Sequence, residues 1–340
     1  MKIFLVNLIL LILLAVSTTQ ISQIPSASGP SYGVYVNGKV YVIAQSSNLL
    51  QVIQGNTVTM NYTLPSYSGA VPFRIAYLDG DFYIIYQKGP LVQWNGNVVK
   101  TFNIPEVGKF PAIISAGNYV VVTASYGNKI YLVSPSGNLT SITVMNGPQA
   151  LAYDNQTNTL YVGAYDTNLV YGISMSTLKV IYNFTLNATT VDAMAFIPPD
   201  ELAVATYAQQ VEILNATTGK VLQVFSIPTF GVNGYSCMVY VPSNYSLYLS
   251  VAHENDVVAV MNLKTGGVSL ITVGNSPNGI VYDPMDHSIY VMNYGSNTIS
   301  MIPVSVQGSN ASNNFTIYYV LAVIAVVIVV ILGIIAVRRK

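Results

Sequence analysis

The chain has 340 residues, 52% of them hydrophobic and only 8% charged, against about a quarter charged in ordinary soluble domains. Thirteen basic residues balance thirteen acidic ones, so no net charge draws the protein to nucleic acid. Its 26 tyrosines and many β-branched residues exclude disorder, and one cysteine with two histidines excludes a disulfide framework or a Cys/His zinc cluster.

At the start, Met1 and Lys2 precede an apolar run from Ile3 to Leu14, broken by Asn7, and then Ala15-Val16-Ser17. A basic start, an apolar stretch and a small-x-small site read as a secretory signal peptide over residues 1–17, cleaved after Ser17. The other reading is an uncleaved anchor, for which the run is short. Residues 18–306 then carry an internal repeat. Strand-like cores recur at Val40-Tyr41-Val42, Phe82-Tyr83-Ile84, Tyr119-Val120-Val121, Leu160-Tyr161-Val162, Leu202-Ala203-Val204, Leu247-Tyr248-Leu249 and Ile289-Tyr290-Val291. Their centres lie 42, 37, 41, 42, 45 and 42 residues apart. Turn residues such as Asn37-Gly38, Asp79-Gly80 and Asp154-Asn155 precede them, and no helical period intervenes. A period near 42 with four short strands per unit predicts an all-β, seven-bladed propeller. Blade seven has three strands before a polar stalk (307–317), so residues 19–24 are expected to supply its fourth and remove an open edge.

The last repeat runs Ser276-Pro277-Asn278-Gly279-Ile280-Val281-Tyr282-Asp283, Ser288-Ile289-Tyr290-Val291-Met292-Asn293, then Asn297-Thr298-Ile299-Ser300-Met301-Ile302. It resembles the YVTN-type β-propeller repeat, and Gly147 to Asp154 with Leu160-Tyr161-Val162 follows the same pattern. The resemblance covers residues 30 to 306 and implies an archaeal surface-layer-type or cell-surface propeller. Independently of any family, the strand holding Tyr41, Tyr83, Tyr161, Tyr248 and Tyr290 is placed to fill the space between blades. Small residues recur at the start of the innermost strand, at Ala150, Ala193, Cys237 and Gly279, where sheets crowd the axis. Cys237 reads as a core residue of that kind.

After the stalk, Tyr318 to Val337 are apolar, Tyr or Gly throughout, the length of a membrane-spanning helix (318–337). Arg338, Arg339 and Lys340 (338–340) follow as a cytoplasmic tail by the positive-inside rule. The expected topology is single-pass in the plasma membrane with the propeller outside, held to lipid by that helix. Asn-x-Ser/Thr sequons at Asn61, Asn138, Asn155, Asn183, Asn187, Asn215, Asn244, Asn310 and Asn314 are candidate glycosylation sites.

Chemistry-bearing groups are sparse. His253-Glu254-Asn255-Asp256 is the densest cluster and reads as a solvated turn, as does His287 beside Asp283 and Asp286. No nucleophile elbow, phosphate loop, EF-hand spacing or His-Glu-x-x-His motif occurs, and Trp94 is the only tryptophan. No catalytic residue, metal site or cofactor is therefore expected. Two residues break the pattern at the axis. Arg74, aligned on Pro72, Pro148 and Pro277, takes the slot of Ala150 and Gly279, and Asp192 takes that of Gln149 and Asn278. They are the candidate ligand-binding pair at the channel mouth, with packing of Arg74 on Phe73 or a tyrosine as the other reading. The expected function is a non-catalytic surface module that binds other surface proteins or glycans. The alternatives are a propeller enzyme of the lyase or quinone-dependent dehydrogenase type with its site in the mouth, and a receptor-like solute binder.

Overall fold

The computed structural model describes residues 21–187, 189–228, 235–251 and 256–304. These form seven four-stranded antiparallel sheets, six of them simple meanders in chain order. Each sheet is a blade. The innermost strands are Pro30–Val36, Val71–Leu78, Ile113–Ala116, Pro148–Asp154, Val191–Ile197, Tyr235–Val241 and Pro277–Asp283. Each packs beside the next, and that of blade seven packs beside that of blade one, so the ring closes around a central channel.

The second strand of a blade lies between two neighbouring sheets and is covered on both faces. Thr159–Ala164, Ser246–Val251 and Ser288–Asn293 are accordingly buried at every position. Such strands lose the alternation of a half-buried strand and read as continuous apolar runs. The outermost strands, such as Thr57–Thr63, face water and are largely exposed.

Blade seven is completed by Ser22–Pro25, which pairs antiparallel with Thr298–Pro303. The sequence placed this strand at 19–24; residues 19 and 20 lie outside the described set.

Buried tyrosines tie blades together at the middle of the second strand. The Tyr161 hydroxyl donates to the Ala216 carbonyl of blade five at 3.0 Å. The Tyr290 hydroxyl shares its one proton between the Gly55 carbonyl of blade one, at 2.8 Å, and the Asp286 carboxylate, at 2.6 Å. Partial burial raises the Asp286 pKa above the ordinary carboxylate value, and the Tyr290 bond opposes that rise. The folded protein thus holds this proton more tightly than the unfolded chain. Stability is then highest below the ordinary carboxylate value and declines as pH rises through the raised one. Tyr290→Phe should remove about 0.5–1.5 kcal/mol for each hydrogen bond lost and steepen that decline. Denaturant melts between pH 3 and 7 test this; identical curves for both proteins would refute it.

The membrane expectations need correction. Among the described residues no helix is long and apolar enough to cross a membrane. The physical reason is the blade itself: strands run four to eight residues and turn back, and the only helical element among the described residues is the three-residue turn Gln45–Ser47. The segments read as signal peptide (1–17), stalk and spanning helix (318–337), together with Arg338, Arg339 and Lys340, lie outside the described residues. Anchorage to lipid and a single-pass plasma-membrane location therefore have no support in the fold.

Candidate functional site

A cavity of about 530 Å³ occupies the channel and is lined by blades two to six. Its mouth is the end where the inner strands begin. Six of the seven inner strands carry a register shift there, between Pro30/Gly33, Pro72/Arg74, Pro148/Ala150, Val191/Ala193, Tyr235/Cys237 and Pro277/Ile280. A bulge leaves one residue unpaired and re-aims side chains. Gln149 and Asp192 are such bulge residues and both line the cavity, while Arg74 is the first paired residue after its bulge.

Pairing fixes the equivalence of the slots: Arg74 opposes Ile85 where Ala150 opposes Gly163 and Ala193 opposes Ala205. A long cation thus stands where blades four and five keep a methyl group. Its Nη2 donates to the Tyr32 hydroxyl of blade one at 3.0 Å, and its guanidinium carbon lies 4.1 Å from the Tyr32 ring centre. Phe73 lies farther, at 5.5 Å. Stacking of this kind positions a guanidinium without neutralising it. Opposite, Gln149 donates to the Val191 carbonyl at 3.2 Å and to Asp192 Oδ1 at 3.4 Å. Arg74 and Asp192 are the charged residues of the lining.

Between mouth and far end the wall is apolar, with Leu151, Met194, Ala195 and Met238. The far end carries Tyr153, Phe196 and Tyr240, and burial, then Tyr245 and Glu201, holds the Tyr240 phenol above its ordinary pKa. Cys237 is half-buried in the same wall, its Sγ 3.8 Å from the Ile280 carbonyl, so it is a lining residue rather than sealed core.

Other sequence-level candidates fall elsewhere. His287 is exposed in a turn with φ 52°, and Asp283 accepts the Met285 N–H at 2.8 Å in the same turn. His253, Glu254 and Asn255 lie outside the described residues, and among the described residues no group of three His, Cys, Asp or Glu could hold a metal. Asn61, Asn138, Asn155, Asn183 and Asn187 are exposed, and Asn310 and Asn314 lie outside the described residues. Asn215 and Asn244 are half-buried with engaged amides: Asn215 Nδ2 donates to Asp200 at 3.1 Å and Asn244 Nδ2 to the Tyr248 hydroxyl at 2.8 Å. What the residue pattern did not single out is a set of exposed tyrosines around the mouth, Tyr126, Tyr165, Tyr207 and Tyr294.

No protein-family model matches the chain, and no curated protein matches its sequence. Its fold is similar to solved structures of lyases. Selenomethionine-substituted virginiamycin B lyase from Staphylococcus aureus superposes with a TM-score of 0.72 at 15% identity, covering 84% of this chain and 99% of that one. A streptogramin B lyase gives 0.70 at 14% identity, covering 84% and 98%. A catalytically inactive histidine-to-alanine variant of the Staphylococcus aureus virginiamycin B lyase, solved with quinupristin, gives 0.71 at 16% identity, covering 84% and 99%. At such identity the likeness establishes the fold.

These findings correct the resemblance to YVTN-type archaeal surface propellers: the three solved structures above are lyases with the same propeller fold, and no family model supports the former. The physical reason is that the repeating residues are those any blade needs: a tyrosine between sheets, an amide at a turn. Asn48 and Asn168, for instance, donate to the Leu64 and Leu186 carbonyls. The description as a glycosylated cell-surface protein loses its support with that lineage. The non-catalytic adhesion reading loses its support too, since no membrane-spanning helix occurs among the described residues and the fold is matched by solved lyase structures. A missing linear motif is no argument against a site built from separate blades.

Proposed function

We propose that this chain is a propeller enzyme of the lyase type, with its site in the channel mouth between Arg74 and Asp192. The observation that carries this reading is a cavity of about 530 Å³ whose charged lining residues are one cation and one carboxylate set in an otherwise uncharged wall. The end-to-end fold likeness to virginiamycin B and streptogramin B lyases supports it from a second side.

A lyase breaks a bond by elimination. A base takes a proton from carbon, the released electron pair forms a double bond, and the leaving oxygen departs with the electrons of the broken C–O bond. The reaction asks for one proton acceptor and one group that holds negative charge beside the carbon losing its proton. Asp192 is the acceptor in this reading. Arg74 holds the carbonyl or carboxylate oxygen, in the forked geometry that a guanidinium offers such groups. Tyr32 fixes the guanidinium plane from beneath, and Gln149 orients the Asp192 carboxylate. The apolar wall below strengthens both charges by excluding water.

Turnover is measured on quinupristin by product mass: an elimination that opens a ring leaves the mass unchanged, whereas hydrolysis adds one water. Asp192→Asn should lose about 10²–10⁴ in rate and Arg74→Ala about 10²–10³, both with unchanged melting. Protection of the Cys237 thiol from alkylation by substrate reads binding separately. Native rates in Asp192→Asn, or products heavier by one water, would sink the proposal.

A further inference from the structure

The mouth is ringed by aromatic side chains at one repeated position. In the turn after the second strand, blades three, four, five and seven carry Tyr126, Tyr165, Tyr207 and Tyr294. Backbone bonding makes the positions equivalent. Each tyrosine N–H donates to a carbonyl of the loop leading into an inner strand: Tyr126 to Glu106 at 3.0 Å, Tyr165 to Gly147 at 2.9 Å, Tyr207 to Thr190 at 3.3 Å and Tyr294 to Ser276 at 3.0 Å. The four residues are 60, 47, 40 and 37% exposed, and the Tyr294 hydroxyl meets Ser46 Oγ of blade one at 3.2 Å. Phe110, 57% exposed, joins them beside blade three and meets Phe73 edge-on at 6.5 Å, next to Arg74.

Folding does not ask for these rings. In blade one Gln45 fills the same position and makes the same bond, to the Gly29 carbonyl at 2.7 Å. Contiguous exposed apolar surface at the rim of a cleft marks a binding face, and tyrosine offers a broad ring with a polar tip.

We infer that this rim is a stacking platform for a chain of sugar rings, and that acidic sugars, whose carboxylate reaches Arg74, are the class it takes. Charge selects the acidic class. A peptide would call instead for pockets that receive its side chains. Arg74, at the centre, supplies the complement to a carboxylate.

Binding stands by itself; cleavage rests on the lyase reading and deepens it by naming the substrate class. In a uronic acid, Asp192 takes the proton from the carbon bearing the carboxylate held by Arg74. The C–O bond to the neighbouring sugar breaks on the adjacent carbon, and a C=C bond forms between the two carbons. The proton passes from Asp192 to the departing oxygen, so no co-reactant is consumed.

A heptameric oligogalacturonate is titrated into the full chain carrying Asp192→Asn, which leaves the rim intact and stops turnover. A neutral oligosaccharide of equal length and a proline-rich peptide serve as comparisons. The acidic oligomer should bind best. Tyr165→Ala with Tyr207→Ala should weaken it by about 4- to 100-fold, taking 2- to 10-fold per ring, with unchanged melting, and Tyr165→Phe with Tyr207→Phe should restore it. Unchanged affinity in the alanine pair, absent binding of the acidic oligomer, or preference for the peptide would each overturn the inference. Binding by the Asp192→Asn protein, with neither cleavage of the oligomer nor turnover of quinupristin by the native chain, would remove the lyase reading and leave the platform standing. Turnover of quinupristin without glycan binding would do the reverse.

Discussion

Ile24→Asp is expected to cost at least about 3 kcal/mol, combining the loss of a buried aliphatic side chain with a buried unpaired charge. At about 2–4 °C per kcal/mol for sizeable domains, the melting temperature should fall by about 6–12 °C. Ile24 is 1% exposed and belongs to one cluster with Val40, Val42 and Ile53 of blade one and Tyr290, Met292 and Ile299 of blade seven. It therefore sits on the seam where the ring closes. Around it, Ser26 N–H donates to the Asn297 carbonyl at 3.0 Å and Gly29 N–H to the Asn297 side-chain oxygen at 2.9 Å. Once Ser22–Pro25 detaches, Thr298–Pro303 becomes an unpaired edge that invites pairing with another chain. The variant should consequently associate as concentration rises. Gln23→Ala removes only the 2.8 Å bond to Ser300 and should cost about 1 kcal/mol. Circular-dichroism melts and size-exclusion runs decide the matter. A monomeric Ile24→Asp protein with native melting would mean that the ring closes without its clasp.

The seven blades are legible in the sequence because burial on both faces imposes a local pattern. Leu160-Tyr161-Val162 and Ile289-Tyr290-Val291 are continuous apolar triplets, since Thr159–Ala164 and Ser288–Asn293 have no solvent side. Lineage is not legible in the same residues. Tyr161 and Tyr290 recur because a hydroxyl at that place reaches the next blade, whatever the ancestry. At the site, Arg74 could be found because a long cation interrupts a run of small residues at a defined slot. Its partner Tyr32 could not, being 42 residues away on another blade. The bulges hide more, since a one-residue shift changes which side chains face the channel, and Gln149 beside Asp192 is only recognisable once the register is known. The tyrosine rim had a signal, a tyrosine soon after the second strand in Ala124-Ser125-Tyr126, Ala164-Tyr165, Thr206-Tyr207 and Asn293-Tyr294. It was masked by abundance: with 26 tyrosines in the chain, most of the recurrent ones belong to the spaces between blades.

Gly279→Val should disturb stability and site together. A Cβ at Gly279 would lie 2.5 Å from the Ser31 carbonyl oxygen and 2.8 Å from the Tyr32 Cα, both in the inner strand of blade one. Those atoms are backbone, so no rotamer change relieves the clash and the strand itself must move. Overpacking of this kind costs about 1–3 kcal/mol. The displaced strand carries Tyr32, whose ring and hydroxyl hold the Arg74 guanidinium at 4.1 Å and 3.0 Å. Turnover should therefore fall more than the small rise in unfolded protein explains, and Arg74→Ala in the same background should cost less than it does alone. Gly267→Ala is the comparison, because its Cβ would meet only the Thr265 hydroxyl, at 3.3 Å, and both stability and rate should stay near native. Melting curves and rates for the two glycine variants, with the double variant at Arg74, separate the effects. Native melting in Gly279→Val would show that blades seven and one have slack at the axis. Lost stability with full Arg74-dependent turnover would place Tyr32 outside the working site.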